Sequence, residues 1–163
     1  MIVVEVSVEC ELWAALPNAE NLAAQAIDKA RKVTKIKLHK DAEVSVLLVD
    51  DARIRSLNAQ WRSIDKATNV LSFPASAPGK LASNPLLGDI VMAFETMQRE
   101  ARAEGKSLAN HFSHLVVHGF LHLIGYDHEN EGDAETMEAL EIKVLAGLKI
   151  ANPYSETELV VQQ

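Results

Sequence analysis

Three histidines in one short stretch are the residues of this chain best suited to chemistry. The stretch reads H-G-F-L-H-L-I-G-Y-D-H and runs from His118 to His128. On an α-helix, residues four apart differ by about 40° in azimuth and by about 6 Å along the axis. The imidazoles of His118 and His122 can therefore converge on one metal ion. If the helix continued to His128, that imidazole would lie about 15 Å along the axis from His118, too far away to share the ion.

A glycine between the second and third histidines predicts the end of the helix. Gly125 can take the left-handed conformation at the C′ position without the steric cost of a Cβ atom. The chain can then reverse and bring His128 back over His118 and His122. The spacing H-x3-H-x2-G-x2-H is the ligand skeleton of the metzincin zinc peptidases. We therefore predict that the three histidines hold one zinc ion per chain and leave a fourth position open, although other divalent transition metals also suit imidazole ligands.

The general base of those peptidases is missing from this stretch. They carry H-E-x-x-H, in which the glutamate beside the first ligand is the base, and Gly119 occupies that position here. Phosphodiesters are the better substrate class for such a site, because their cleavage depends more on charge neutralisation than on a strong base. A metallopeptidase-like zinc hydrolase stays open as an alternative, as does a non-catalytic protein with a structural metal.

Other polar side chains near the three histidines have simpler interpretations. Together with His118 and His122, His111 and His114 fall within an arc of about 80° around the same helix. A histidine beside an apolar face is more often packed and hydrogen-bonded than a ligand. We predict packed roles for both, and keep His114 as a candidate support for the ligands. Asp127 could orient a ligand or shuttle a proton, although an ordinary turn carboxylate is the simpler interpretation.

Composition narrows the class of protein. With 163 residues, of which 48% are hydrophobic, the chain is expected to form one domain, residues 1–163, around one core. Cys10 is the only cysteine, so an internal disulfide and a thiolate metal cluster are both excluded. No apolar run approaches the roughly 20 residues of a membrane span, and the N-terminus lacks the basic region of a signal peptide. We therefore predict a cytoplasmic protein without membrane association.

The charge of the chain is acidic and unevenly distributed. A net charge of -7 argues against a protein that coats nucleic acid nonspecifically. Six of the 16 basic residues nevertheless fall between Lys29 and Lys40, while seven acids lie between Asp127 and Glu141. A solvated basic helix face and an acidic C-terminal helix explain this pattern most simply, and a basic face that binds a partner stays open.

The hydrophobic pattern predicts the elements that must position these residues. We expect an α+β fold, a single compact domain with a mixed sheet of about four strands packed with about five helices. Four helices should begin at N-cap residues, and a further charged helix should end near Gly105. Residues 75–85 are rich in Pro and Ser and should form a loop. In the second helix, Ile54, Leu57 and Trp61 should point inward. The predicted strands are residues 2–8, 43–49, 69–73 and 88–94, and the predicted caps are Asn18, Asp50, Ser107 and Asp133.

Three blocks of this sequence resemble the YbeY family, single-domain bacterial metal-dependent endoribonucleases linked to ribosomal RNA maturation. The first is H-G-F-L-H-L-I-G-Y-D-H, preceded by His114 in H-L-V-V-H-G. The second runs from Leu57 to Pro74, L-N-A-Q-W-R-S-I-D-K-A-T-N-V-L-S-F-P, and is similar to the family's N-x-x-[WYF]-R-x5-T-D-V-L-S-F-P. The third is L-G-D-I, from Leu87 to Ile90. Together the blocks span most of residues 57 to 130.

The resemblance implies a function and roles for named residues. It implies a single-strand-specific endoribonuclease for ribosomal RNA maturation and ribosome quality control, with zinc on His118, His122 and His128. It also implies a functional role for Arg62, whose planar fork suits phosphate oxygens. Asn69 stands where the family usually has aspartate, so a hydrogen-bonding role carries over and a charge-based role does not. The implied partners are ribosomal RNA, the small ribosomal subunit and an Era-type GTPase.

Overall fold

A four-stranded mixed sheet forms the centre of the fold. The computed structural model describes residues 2–154. Strands β1, β2 and β4 run parallel to one another, and β3 pairs antiparallel with β4 at the edge of the sheet, giving the order β1-β2-β4-β3. The strand bounds are β1 Val3–Val8, β2 Glu43–Val49, β3 Val70–Pro74 and β4 Leu86–Ala93. The predicted α+β fold with a mixed four-stranded sheet is therefore confirmed.

Five α-helices accompany the sheet within residues 2–154, as predicted. They are α1 Ala19–Thr34, α2 Asp51–Arg62, α3 Phe94–Ala103, α4 Leu108–Leu123 and α5 Glu131–Gly147. Two short 3₁₀ helices, Glu11–Ala15 and Pro78–Ser83, complete the set. The second of these lies in the segment predicted to be an irregular loop, which is thus partly ordered. None of the helices in the described part of the chain is long and apolar enough to cross a membrane.

The main core lies between one face of the sheet and the helices α1 and α4. Alternate residues of β2, Val44, Val46 and Leu48, point to this face and are fully buried. Helix α4 contacts α1, α3 and α5 as well as strands β3 and β4. It is buried on most of its circumference, including Phe112 and Phe120. The helix that carries the histidines is therefore held from several sides.

The opposite face of the sheet is covered less completely. Five residues form the smaller buried cluster on this face, among them Ile54 of α2 and Val91 of β4. The cluster does not extend to the last turn of α2, so Trp61 is 65% exposed. The prediction that Trp61 points inward is wrong. Its spacing from Leu57 fits the apolar stripe, but Trp61 lines an open groove above the sheet and is not packed against it.

Helix caps agree with the sequence except at α5. The Asp50 carboxylate accepts a hydrogen bond from the Arg53 backbone, and Ser107 caps α4 in the same way. Asn18 is the N-cap residue of α1, without a capping bond from its side chain. The predicted cap Asp133 is wrong: Asn130 is the N-cap of α5, and its side-chain oxygen accepts from the Asp133 backbone N–H at 2.9 Å. Asp133 instead lies in the first turn, where its carboxylate accepts from the Asn130 amide.

Gly88 offers a test of how tightly β3 must approach β4. Its φ of 136° disfavours any residue with a side chain, and an added Cβ would lie 2.2 Å from the Phe73 carbonyl oxygen. We expect Gly88→Ala to lower the free energy of unfolding by roughly 2–4 kcal/mol, measured by chemical denaturation. Gly79→Ala is the matched control, because a Cβ there meets no atom within 4 Å. Equal stability of the two variants would contradict the prediction.

Candidate metal centre

Helix α4 and the turn after it bring three imidazoles together. His118 and His122 lie one turn apart on α4, and His128 lies between α4 and α5. One ring nitrogen from each of the three residues lies within 4.8 Å of the others. The ring centroids are 4.7 Å apart for His118 and His122, and 4.9 Å apart for His122 and His128. Within residues 2–154, these three form the group that could hold a metal ion.

The chain reversal that brings His128 back depends on Gly125. Helix α4 ends at Leu123, and Gly125 follows at C′ with a φ of 104°. The Gly125 N–H donates to the His122 carbonyl at 3.1 Å, and the Tyr126 N–H donates to the Leu121 carbonyl at 3.0 Å. These two bonds are the Schellman pattern, which closes a helix and redirects the chain. The prediction that Gly125 ends the helix is therefore confirmed.

The donor set fits a tetrahedral transition metal. The Nε2 atoms of His118 and His122 are 3.2 Å apart, close to the roughly 3.4 Å expected between two ligands of a tetrahedral zinc ion. Burial, together with the neighbouring His118 and His128, lowers the pKa of His122 to about 4. His122 is thus neutral near pH 7, as a metal ligand must be.

A buried carboxylate lies behind the three histidines. Glu141 of α5 is 1% exposed, and its Oε2 lies 3.3 Å from Nδ1 of His118. Its Oε1 accepts from the Tyr154 hydroxyl at 2.8 Å and lies 2.7 Å from Nε2 of His114. Burial alone would raise the pKa of Glu141, but the bonds from His114 and His118 outweigh it and lower this pKa to about 2. The pKa of Tyr154 is raised, by burial first and then by the Glu141 charge.

Sequence reasoning missed Glu141, although a signal was present. Glu141 lies four residues after Met137 and three before Val144, two buried members of the apolar stripe of α5. An acid on the buried stripe of a helix requires a hydrogen-bonding partner, because an unpaired buried charge is costly. Periodicity by itself predicts only a core role for this stripe, so it does not indicate that position 141 faces the histidines.

The other predicted residues occupy distinct places around the centre. His111 is 4% exposed and lies 2.9 Å from the Glu100 carboxylate, so it is packed and hydrogen-bonded as expected. His114 lies outside the group of three and contacts Glu141 instead. Asp127 is exposed, and its carboxylate accepts from the His128 backbone N–H at 2.7 Å. Asp127 therefore shapes the turn that presents His128.

A groove of about 700 Å³ connects the three histidines with Arg62. The Arg62 Nη2 donates to the Ser72 carbonyl at 2.7 Å, and its guanidinium carbon lies 5.6 Å from the centre of the Phe73 ring. These contacts hold Arg62 at the outer edge of β3. Guanidinium carries five N–H donors, so this bond leaves donors that a phosphate can use.

Asn69 also lines this groove, where the resembling family usually has aspartate. Its amide nitrogen donates to both oxygens of Glu100, at 3.0 and 3.2 Å, and its oxygen accepts from the Val70 N–H. An aspartate could not donate and would place a second carboxylate beside Glu100. The amide at this position therefore serves hydrogen bonding in a way that a charged side chain could not.

Comparisons with known proteins agree on one family. A sequence model of the family "Endoribonuclease YbeY" matches residues 8–149. A protein of Bradyrhizobium diazoefficiens named Endoribonuclease YbeY is 52% identical over 156 residues, covering 93% of this chain and 85% of the relative. A protein of the same name from Methylocella silvestris is 49% identical over 154 residues, covering 94% of this chain and 86% of the relative.

A solved structure shows the same fold. The solution structure of TM1509 from Thermotoga maritima is 25% identical in sequence and superposes with a TM-score of 0.54. The match covers 91% of this chain and 92% of that one. Sequence and fold therefore lead to the same conclusion, which confirms the resemblance in the three sequence blocks: this chain belongs to the YbeY endoribonuclease family.

Proposed function

We propose that this protein is a metal-dependent endoribonuclease that cleaves single-stranded RNA. The observation that carries the proposal is the groove that places Arg62 and the three histidines along one surface. The relatives at about half identity bear the name Endoribonuclease YbeY. An ion together with a guanidinium would neutralise the charge that develops on a phosphodiester during cleavage.

Within this proposal, zinc is the first choice of metal and each residue has a task. His118, His122 and His128 would hold the ion, which would supply Lewis-acid activation at the scissile phosphate when bound. Arg62 binds a phosphate oxygen and orients the strand, because its planar fork matches phosphate geometry. The Ser72 carbonyl and the Phe73 ring keep Arg62 in position for this task.

Packing at Gly119 supports phosphodiester over peptide chemistry. A Cβ at this position would lie 3.0 Å from the Ile90 side chain and 3.2 Å from the Ser72 hydroxyl. The Ser72 hydroxyl also donates to the Gly119 carbonyl at 2.9 Å. Position 119 thus faces the sheet, where a glutamate such as the base of the metzincin peptidases would have to displace the Ile90 and Ser72 side chains.

The substrate, the partners and the location of the protein are part of the same proposal. We propose ribosomal RNA as the substrate, in maturation and in quality control of ribosomes, with the small ribosomal subunit and an Era-type GTPase as partners. Because ribosomal RNA is the proposed substrate, we also propose a cytoplasmic location. We also propose that residues 1–163 act as one domain, since the four strands in the described part of the chain form a single sheet.

Metal removal is expected to abolish cleavage while the fold persists. The core is built from apolar residues of the sheet and helices, and the exposed His128 contributes little to it. We expect a chelator to stop cleavage of single-stranded ribosomal RNA, measured on gels, with an unchanged far-ultraviolet circular dichroism spectrum. Added zinc should restore activity.

His118→Ala is the matched variant for the chelation experiment, and it should be inactive even with added zinc. Cleavage that survives both chelation and this substitution would contradict the mechanism. Unfolding on chelation would instead indicate a structural metal and a non-catalytic assembly factor.

Arg62→Lys tests whether the fork, rather than the charge, is required. Lysine keeps the positive charge but cannot bind a phosphate with two parallel bonds. We expect kcat/KM for RNA cleavage to fall about 100-fold, with zinc affinity unchanged because Arg62 lies outside the group of three histidines. Full activity of this variant would exclude a phosphate-clamping role.

An exposed tryptophan beside Arg62 provides a surface for a base. Trp61, Leu57 and Arg53 line a second groove, of about 340 Å³, whose sheet side is lined by Leu47 and Phe73. Arg62 lines the first groove and contacts the Phe73 ring, which lines the second, so the two grooves adjoin at this pair of side chains. We propose that a base next to the bound phosphate stacks on Trp61, because bases stack on exposed aromatic rings in single-strand binding proteins.

Trp61→Ala is expected to weaken binding of single-stranded RNA. Loss of one stacking contact costs about 1–3 kcal/mol, so Kd should rise roughly 5- to 150-fold, measured by fluorescence anisotropy with an RNA oligonucleotide. Trp61→Phe keeps an aromatic face and should retain most of the affinity. If Trp61→Ala binds RNA like the unmodified protein, this groove serves another ligand.

A further inference from the structure

We propose that Glu141 is a positioning residue of the metal centre, which fixes the His118 ring so that its Nε2 faces the ion. The inference rests on the metal binding by His118 that the proposed function requires. It assigns a task to a buried carboxylate that the groove and the cleavage chemistry do not use.

The two nitrogens of His118 face different partners. Nδ1 lies 3.3 Å from Oε2 of Glu141, and Nε2 lies 3.2 Å from Nε2 of His122. An ionised carboxylate can only accept hydrogen bonds, so Nδ1 of His118 must carry the proton. In a neutral imidazole, Nε2 then keeps its lone pair and points it toward the other ligands. This is the arrangement by which carboxylates orient histidine ligands of zinc and raise their basicity.

Glu141 is itself fixed from the other side. Its Oε1 accepts from the Tyr154 hydroxyl at 2.8 Å and lies 2.7 Å from Nε2 of His114. With 1% of its surface exposed, the carboxylate cannot turn toward solvent for replacement bonds. Contacts from α4 and from the segment after α5 thus determine where Oε2 lies, and Oε2 determines how His118 is oriented.

Glutamine is the substitution that separates positioning from simple packing. It has the size of glutamate but offers one acceptor oxygen and one NH₂ donor. If its oxygen faces Tyr154 and His114, its NH₂ faces Nδ1 of His118 and favours the tautomer with the proton on Nε2. That tautomer cannot bind a metal through Nε2. A carboxylate that merely joined α5 to α4 would affect stability without affecting the tautomer.

The experiment compares Glu141→Gln with Glu135→Gln, an exposed position on the same helix. Zinc affinity is measured by competition with a chromophoric chelator. We expect Kd for zinc to rise about 10- to 100-fold in Glu141→Gln and to stay unchanged in Glu135→Gln. Nitrogen-15 NMR of the metal-free proteins, at a pH where the imidazoles are neutral, reports the tautomer of His118. We expect the Nδ1–H form in the unmodified protein and a shift toward the Nε2–H form in Glu141→Gln.

Unchanged zinc affinity in a folded Glu141→Gln would overturn the proposal. If that variant does not fold, the NMR measurement on the unmodified protein still tests the proposal. An Nε2–H tautomer of His118 in that protein would exclude a positioning role for Glu141. The outcome is separable from the proposed function. If zinc binding depends on Glu141 but the protein cleaves no RNA, only the proposed nuclease activity is contradicted. If the protein cleaves RNA and Glu141→Gln binds zinc as tightly as the unmodified protein, only this inference is contradicted.

Discussion

The metal centre depends on the chain reversing its direction at the end of α4. Two of the three imidazoles are placed by helical periodicity alone, but the third can approach only if the helix stops within three residues of His122. Gly125 meets that requirement with a φ of 104° and two closing hydrogen bonds. A residue with a Cβ would be strained in this backbone conformation. The three-histidine group therefore requires glycine at this turn.

Burial of α4 makes the placement of the imidazoles precise enough for chemistry. The helix is packed between the sheet and helices α1 and α5, and its inner residues have almost no exposed surface. Packed helices lose little further entropy when a ligand binds. The same burial isolates Glu141 from water, so its bonds to His114, His118 and Tyr154 are the interactions that remain for it. The packing of α4 and α5 therefore also determines the hydrogen bonds of Glu141.

The edge strand β3 joins the metal centre to the proposed RNA surface. Its side chains alternate between the two faces: Ser72 bonds to Gly119 beside the histidines, and Phe73 packs under Arg62. Arg62 reaches across the strand edge to the Ser72 carbonyl. One short strand therefore positions the guanidinium between the groove of the histidines and the groove of Trp61. A central strand, with neighbours on both sides, could not leave that edge accessible.

The sequence by itself determined the α+β fold, most caps and the local geometry of the three histidines, because periodicity and turn chemistry act over a few residues. Tertiary structure alone decided what lies behind and beside them. Glu141 reaches His118 across 23 positions of the chain through the packing of α5 on α4. Trp61 matched an apolar stripe yet is exposed, because local spacing does not reveal whether the end of a helix packs closely on the sheet or leaves a groove there. Such contacts depend on how elements pack, and no short stretch of residues contains that information.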